Sequence, residues 1–257
     1  MAGDAMAATE ITALDGSQGW TLGNVGGGQS ELVDLTGAGG DLENNQPAPG
    51  GAVKQTTTLD NGDKSNVKYS ADFGRVGAIF DQDLSFAYSY YKSSGSPNAS
   101  AAPALKLEFY LDDAQYDGDK YGELIYEPYW QGSNPATDAW TEELITFSSG
   151  LFWTTGMFGI PNSFGGPPLN TLEGWLSTFD QYFRNATLIS VGIGIGSYNQ
   201  GQVNYFDNVV IAGTEGPNGT YDFEAAAEVP LPAALPLMLG ALGAVGGVGA
   251  LRRRKRG

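Results

Sequence analysis

TLISVGIGIGSYNQGQVNYFDNVVI, residues 187–211, is the stretch that most clearly indicates the fold of this chain. Ile189, Val191, Ile193 and Ile195 alternate with smaller or polar residues, which predicts a strand with one apolar face. The segment QVNYFDNVVI predicts a second strand, paired with the first across the turn YNQG. The GIGIG sequence lies inside a strand and opens no helix, so its glycines indicate close packing and not a nucleotide-binding loop.

Similar patterns outside this stretch predict further strands at 53–59, 65–70, 77–80, 84–91, 105–111, 123–128 and 141–147. The turn DNGD is expected to join the first two of these strands as a hairpin. Between Leu169 and Phe183 apolar residues recur at helical spacing, which predicts one helix with Asn170 or Thr171 as its N-cap. Many short strands and 38 glycines predict an all-β fold, a jelly-roll-like two-sheet sandwich with one short helix.

The composition excludes several kinds of chemistry. The 257 residues include no Cys and no His, so a cysteine nucleophile, a Ser-His-Asp triad and a thiolate or imidazole metal site are impossible. Five of the 13 basic residues lie at 252–256, which leaves 8 basic and 29 acidic residues in the rest of the chain, a net charge of −21. Such an acidic body disfavours nucleic acid as a partner.

The C-terminal segment EVPLPAALPLMLGALGAVGGVGALRRRKRG has an apolar run followed by a basic cluster. Residues 231–251 carry no charge, and as a helix they would span about 30 Å, the thickness of the hydrocarbon core of a bilayer. They predict a transmembrane helix, because five glycines make a buried soluble helix a poor alternative. The basic residues would then stay on the cytoplasmic side, with the body outside. These basic residues are Arg252, Arg253, Arg254, Lys255 and Arg256.

This tail resembles the VPLPA variant of the PEP-CTERM sorting signal. The residues that carry the resemblance are Val229, Pro230, Leu231, Pro232 and Ala233, followed by the apolar span and the basic end. In that family the signal is recognised by an exosortase, a membrane-embedded cysteine transpeptidase of Gram-negative bacteria. The resemblance implies a protein that is exported, anchored transiently in the inner membrane, and then released to the cell surface or extracellular matrix.

These observations divide the chain into four parts. Residues 1–9 are an N-terminal remnant or a truncated signal region, since they lack a basic and an apolar segment while Ala5-Met6-Ala7 resembles the end of a signal peptide. The alternative for that match is chance in an alanine-rich stretch. Residues 10–212 form the sandwich, 213–228 a polar spacer, and 229–257 the sorting signal.

The body also resembles, loosely, the lectin-like or laminin-G-like jelly rolls of bacterial surface proteins. LDGSQGW, residues 14–20, resembles their first strand, and residues 190–211 resemble their last two. The resemblance implies polysaccharide as a partner and assigns no sugar-binding residues.

Aromatic residues supply the candidate glycan-binding side chains. Flat rings stack on the apolar faces of sugars, and the candidates are Tyr129, Trp130 and Trp140. Tyr129 and Trp130 follow Pro128, which predicts a strand end or a loop, where the core needs fewer rings. The alternative for each ring is packing in the core.

Acidic residues suggest calcium as a cofactor. Asp112, Asp117 and Asp119 lie within eight residues, although Pro128 at position 12 of the loop excludes an EF-hand. The jelly-roll resemblance implies a second candidate, Asp207, because such folds often bind structural calcium near the last strand. The alternative is a solvated acidic turn.

The sequence therefore predicts an exported protein that binds or structures exopolysaccharide and is not an enzyme. The alternative is a secreted jelly-roll glycoside hydrolase or lyase that uses paired carboxylates, which must lie about 5–9 Å apart. Glu123 and Glu127 share a strand face but are separated by about 13 Å along the strand. Glu142 and Glu143 point to opposite faces, so no residue is predicted to be catalytic.

Overall fold

The computed structural model describes residues 7–178, 181–213 and 216–225. Its strands are β1 (Thr9–Ile11), β2 (Trp20–Leu22), β3 (Gln29–Asp34), β4 (Gly51–Thr56), β5 (Ser65–Ser70), β6 (Ser85–Lys92), β7 (Ala104–Tyr110), β8 (Tyr121–Tyr126), β9 (Trp140–Thr146), β10 (Phe152–Thr154), β11 (Thr187–Ile195), β12 (Val203–Ala212) and β13 (Gly219–Phe223). Its helices are α1 (Gly40–Asn44), α2 (Val76–Ile79), α3 (Leu172–Thr178) and α4 (Gln181–Asn185), with a 3₁₀-helix at Pro128–Gln131.

The strands form two sheets, which confirms the predicted all-β sandwich. The six-stranded sheet has the order β10-β8-β7-β11-β5-β2. The seven-stranded sheet is built around β12, with β6 and then β9 on one side. On its other side β12 pairs first with β4 and then with β13, and these strands continue to β3 and β1 respectively.

Aromatic and aliphatic side chains fill the space between the sheets. Trp20 meets Phe223 edge to face with ring centroids 5.0 Å apart, and Phe109 meets Phe183 at 5.2 Å. One polar side chain also joins the sheets, because Gln55 donates from Nε2 to carbonyl oxygens on β5 and β11 at 3.1 Å. The core thus lies between the inner faces of the two sheets, so side chains on the outer faces are not needed to fill it.

Both predicted hairpins are wrong, although the strands themselves are present. β11 pairs with β5 and β7, while β12 pairs with strands of the other sheet, so the chain crosses the sandwich at YNQG. β4 and β5 likewise lie in different sheets. The crossing between them is fixed by Asp63, whose carboxylate accepts hydrogen bonds from Gly27 N at 2.6 Å and Thr58 N at 2.9 Å.

A register shift also changes the apolar face of β11. The pairing with β7 shifts between Leu188 and Ser190, so Leu188 joins the core and Ile189 is only partly buried. Val191, Ile193 and Ile195 are buried as expected. The one-residue irregularity in this pairing therefore places Leu188 in the core, where the sequence predicted Ile189.

The helical content differs from the single predicted helix. The predicted helical stretch contains α3 and α4, and Thr171 caps α3 by accepting a hydrogen bond from Gly174 N at 3.1 Å. The predicted strand at 77–80 is wrong, because α2 occupies it and buries Val76 and Ile79. The remaining helix, α1, has no buried residue.

The predicted polar spacer at 213–228 is wrong in part. Strand β13 lies within it, pairs with β12 and with β1, and buries Tyr221 and Phe223. The compact unit extends to Ala225. The sorting motif, the apolar run and the basic cluster lie outside the described residues, as do residues 1–6. Among the described residues no helix is long and apolar enough to cross a membrane.

Candidate functional site

A cleft of about 550 Å³ lies on the outer face of the six-stranded sheet. Its floor consists of side chains that alternate with core residues along β5, β7, β8 and β10, and of Gly192 on β11. The lining includes Asn66, Lys68, Lys106, Glu108, Glu123, Glu127, Trp153 and Gly192. The polar residues that the alternation places opposite the core therefore face one cavity.

Glycines of β11 allow polar side chains to cross that strand. A Cβ atom at Gly194 would lie 2.0 Å from Oδ1 of Asn66 and 2.5 Å from a backbone oxygen of Ser65. At Gly192 the nearest atom would be Cβ of Lys68, at 3.3 Å. A side chain at Gly194 would therefore displace Asn66, and Gly192 is the glycine of β11 that lines the cleft.

Two lysines on the strands beside β11 reach across it in opposite directions. Lys106 on β7 donates to Oδ1 of Asn66 on β5. Lys68 on β5 donates to both carboxylate oxygens of Glu108 on β7, each at 3.3 Å. Burial lowers the pKa of Lys106 to about 8. The floor thus presents ammonium groups that are held in place and partly shielded from water.

Two carboxylates lie on the other side of Lys106, Glu123 on β8 and Glu127 just after that strand. Burial raises the pKa of Glu123, and the Lys106 ammonium partly offsets this effect. Burial also raises the pKa of Glu127. The nearby indole groups of Trp153 and Trp130 partly offset this effect, because they favour the charged carboxylate. Trp153 Nε1 is buried and makes no well-formed hydrogen bond within the described residues. These groups therefore have unused capacity for hydrogen bonds with a ligand.

Two exposed rings border the cleft. Phe164, on the loop after β10, is 88% exposed, and Tyr198, on the turn after β11, is 73% exposed. Both have left-handed backbone conformations, with φ of 53° and 64°. Hydrogen bonds from Phe164 N to Oδ1 of Asn162 (2.7 Å) and from Tyr198 N to the Asn61 carbonyl (2.8 Å) hold them there. Such conformations are rare for aromatic residues and concentrate at binding sites.

The structure places the predicted Tyr129 and Trp130 next to this cleft. They lie on the 3₁₀-helix after β8 and line a smaller cavity of about 170 Å³, which shares Glu127 and Gly165 with the main cleft. Tyr129 is 40% exposed. Trp130 is partly buried and donates from Nε1 to the carbonyl of Gly165 at 3.0 Å, so it fixes the loop that carries Phe164.

Trp140 is not brought to the cleft. It begins β9 in the other sheet, where it packs on Tyr91 at a centroid distance of 5.9 Å. Its Nε1 donates to the carbonyl of Leu42 in α1 at 3.1 Å. Its contacts are therefore those of a residue that holds a helix against a sheet.

The acidic residues predicted to bind calcium do not form a cluster. Asp112, Asp117 and Asp119 are exposed, and no three acidic groups in the described part of the chain are arranged to hold a metal ion. Asp207 is fully buried on β12 and accepts a hydrogen bond from Phe223 N at 2.9 Å through Oδ1. Its Oδ2 has no partner among the described residues, and burial raises its pKa to about 7. An unpaired buried oxygen is chemically suited to calcium, so Asp207 stays a calcium prediction.

Sequence reasoning did not identify Phe164, Tyr198, Lys68, Lys106 or Glu108. A signal existed for the first two, because each ring stands among turn-forming residues, in NSFGGPP and SYNQG. The charged residues alternate with core residues on their strands, which marks an exposed face. Only the strand order shows that β5 and β7 lie on either side of a glycine-rich strand.

The arrangement combines exposed flat rings with a polar floor in a cavity of about 550 Å³. Rings of this kind stack on apolar ligand faces, and the floor offers ammonium, amide and carboxylate groups to hydroxyls.

Several solved structures are similar to this chain in fold. A family 11 carbohydrate-binding module of a cellulosomal cellulase from Clostridium thermocellum is 14% identical, with a TM-score of 0.42 over 82% of this chain and 97% of that one. The family 11 module from Clostridium thermocellum in complex with a mixed-linked tetrasaccharide is 16% identical, with a TM-score of 0.40 over 84% and 96%. A family 61 module in complex with galactotriose is 8% identical, with a TM-score of 0.34 over 76% and 90%. No family model matches the chain and no curated protein does. With TM-scores of 0.42 or less, the structural similarities assign no function to it.

Proposed function

We propose that this chain is an exported protein of the cell surface or extracellular matrix whose sandwich binds polysaccharide in the cleft. The observation that carries the proposal is the pair of exposed rings, Phe164 and Tyr198, beside a polar cavity of about 550 Å³. Water-exposed rings in left-handed conformations contribute little to folding. Their placement is explained by a ligand with apolar faces and many hydroxyls, which is the chemistry of sugars.

One observation favours the alternative of a glycoside hydrolase. Glu108 and Glu123 are directly opposite each other on β7 and β8. Side chains at such positions start about 5 Å apart, close to the spacing of a retaining carboxylate pair. However, Glu108 is paired with Lys68 of β5, which lies beyond β11 on the side away from β8 and Glu123. The pair is therefore not arranged around a common bond, and binding without hydrolysis is the better proposal.

A glycan array tests both functions with the purified protein, kept in mild detergent because of the apolar run at 231–251. We expect retention on one class of polysaccharide, and no new reducing ends or unsaturated sugars after hours of incubation. Time-dependent depolymerisation that disappears in Glu123→Gln would contradict the binding function and establish the hydrolase. Absence of any retained glycan would contradict both.

The C-terminal tail is proposed to sort the protein. Support comes from the order of the VPLPA motif, the uncharged run and the basic end, which matches the tripartite signal. In a host that has an exosortase, the protein extracted from the surface should lack residues 235–257. Intact mass spectrometry decides this point, because a mass that retains the basic cluster would leave a plain membrane anchor.

A further inference from the structure

Two lysines face each other across a single glycine on the floor of the cleft. In the register of the six-stranded sheet, Gly192 is paired with Lys106 on one side and with Lys68 on the other. No side chain separates the two lysines. Their ammonium groups turn away from each other, one to Asn66 and the other to Glu108. The surface above Gly192 is thus open and bordered by two positive charges.

The Lys106 ammonium is incompletely satisfied. It has three donors, and within the described residues it has one hydrogen-bond partner, Asn66, and no ion pair. Burial lowers its pKa most and the charge of Lys64 adds to this effect, while nearby glutamates, Glu123 first, offset only part of it, so the cation is held at a cost. A buried charge of this kind is stabilised most by an anion that brings its own hydrogen-bond acceptors.

The distribution of charge points the same way. Outside the basic end the chain has 8 basic and 29 acidic residues, and three of these 8, Lys64, Lys68 and Lys106, line this cleft. Of the cleft glutamates, Glu108 is already paired with Lys68, whereas Glu123 on β8 and Glu127 just after that strand lie beyond Lys106. The side formed by β5, β7 and β11 is therefore locally basic in a strongly acidic protein.

We propose that the polysaccharide bound in the cleft is acidic, and that one of its carboxylates lies over Gly192 between Lys68 and Lys106. This inference rests on the proposed glycan-binding function and adds the chemical class of the ligand. The sugar carboxylate accepts hydrogen bonds from both ammonium groups. Glu108 and Asn66 hold the lysines apart until the ligand arrives. Neutral parts of the chain pack on Phe164 and Tyr198.

The test uses an array of acidic polysaccharides, including polygalacturonate and alginate. Each is printed beside the same polymer after its carboxyl groups are reduced to alcohols, together with neutral glucans and galactans. We expect the purified protein to be retained by at least one acidic polymer and to bind its reduced form at least about tenfold more weakly, as for the loss of a charge-assisted hydrogen bond. Equal or stronger retention by a reduced or neutral polymer would overturn this inference while the proposed function stands. Retention by no polymer would overturn the proposed function as well.

Two variants locate the anion. Gly192→Ala leaves every charge in place and adds a methyl group over the floor, where the nearest atoms, Cβ of Lys68 and the Val67 carbonyl oxygen at 3.3 Å, must shift by only a few tenths of an ångström. Lys106→Gln removes one ammonium and keeps a hydrogen-bonding side chain. Each should bind the acidic polymer at least about tenfold more weakly, with a melting temperature close to that of the wild type. The matched control is Lys54→Gln, from an exposed ion pair with Glu31 on the other sheet, which should bind like the wild type. A folded Gly192→Ala variant with wild-type affinity would overturn the assigned position.

Discussion

The two sheets of this sandwich use their outer faces and their charges in different ways. The six-stranded sheet exposes a glycine-lined cleft with lysines and glutamates, and aromatic loops border it. The seven-stranded sheet covers part of its outer face with α1 and Trp140, and it buries one carboxylate, Asp207, in its central strand. Each face carries aromatic residues, so rings alone do not define a binding site. The difference lies in the floor, because Gly192 on β11 lines a cleft of about 550 Å³ beside Phe164 and Tyr198.

The buried Asp207 should give the largest effect of any single change in this comparison. Its folded pKa of about 7 lies above the usual value of 3.8, so the stability it contributes is present below about pH 4 and is lost as the pH rises to 7. A shift of about three pKa units corresponds to a penalty on the order of 4 kcal/mol at pH 8. We expect Asp207→Asn to unfold at higher denaturant concentration than the wild type at pH 8 in chelator, and this difference to shrink at pH 4.5.

Calcium and a second aspartate provide the controls. If Asp207 binds calcium, millimolar calcium should raise the melting temperature of the wild type at pH 8 and leave Asp207→Asn unchanged. Asp138 is the matched aspartate, since hydrogen bonds from Ser94 lower its pKa. Its contribution is present at neutral pH and lost as the pH falls, so Asp138→Asn should show the opposite trend. Parallel pH profiles of the wild type and Asp207→Asn would contradict the assigned pKa.

The rings at the cleft come next. Replacement of both Phe164 and Tyr198 by Ala should weaken polysaccharide binding by about 30- to 100-fold, equivalent to about 2–3 kcal/mol. Stability should change little, because both side chains face solvent. Leu144→Ala is the control, since this residue is 66% exposed on β9 of the other sheet. Affinity electrophoresis measures the effect, and a double variant that binds like Leu144→Ala would remove the basis for the glycan cleft.

Trp140 tests the other half of the comparison. It is partly buried and holds α1 through its indole N–H. Trp140→Ala should lower the free energy of unfolding by about 2 kcal/mol, less than the 3–5 kcal/mol of a fully buried ring. Polysaccharide affinity should stay at the wild-type value. Denaturant unfolding and affinity electrophoresis on the same sample give both numbers, and a loss of affinity without a loss of stability would restore Trp140 as a binding residue.

Local patterns in the sequence predicted most individual strands and the fold class. Leu105, Leu107 and Phe109 alternate with polar residues, and alternation depends only on neighbouring positions. Pairing was predicted less well, because each pairing depends on which sheet a strand joins. DNGD has the sequence of a hairpin turn, yet Asp63 in it binds the distant Gly27 and directs the chain to the opposite sheet. No local pattern contains that contact.

The sequence predicted only residues at the border of the candidate site, and not its charged floor. Tyr129 and Trp130 could be selected because a proline and turn residues surround them. The charged floor could not, since Lys68 and Glu108 are 40 residues apart and meet only because β5 and β7 border the same glycine strand. A search for paired carboxylates along the sequence likewise missed Glu108 and Glu123, which are neighbours across strands.

Trp130 and Trp140 offer the smallest and most precise test, because each donates its indole N–H to a backbone carbonyl on a different face. The bond from Trp130 to Gly165 fixes the loop next to Phe164, so Trp130→Phe, which keeps a ring and loses the donor, should weaken binding about threefold, as expected for one neutral hydrogen bond. Trp130→Ala should show a similar loss if the residue acts by positioning Phe164. In a Phe164→Ala background, Trp130→Phe should then have no further effect, since the two changes remove the same interaction. Trp140→Phe breaks the equivalent bond on the other sheet and should leave binding unchanged. A Trp130→Phe variant with full affinity beside a weak Trp130→Ala variant would instead show that the Trp130 ring itself contacts the sugar.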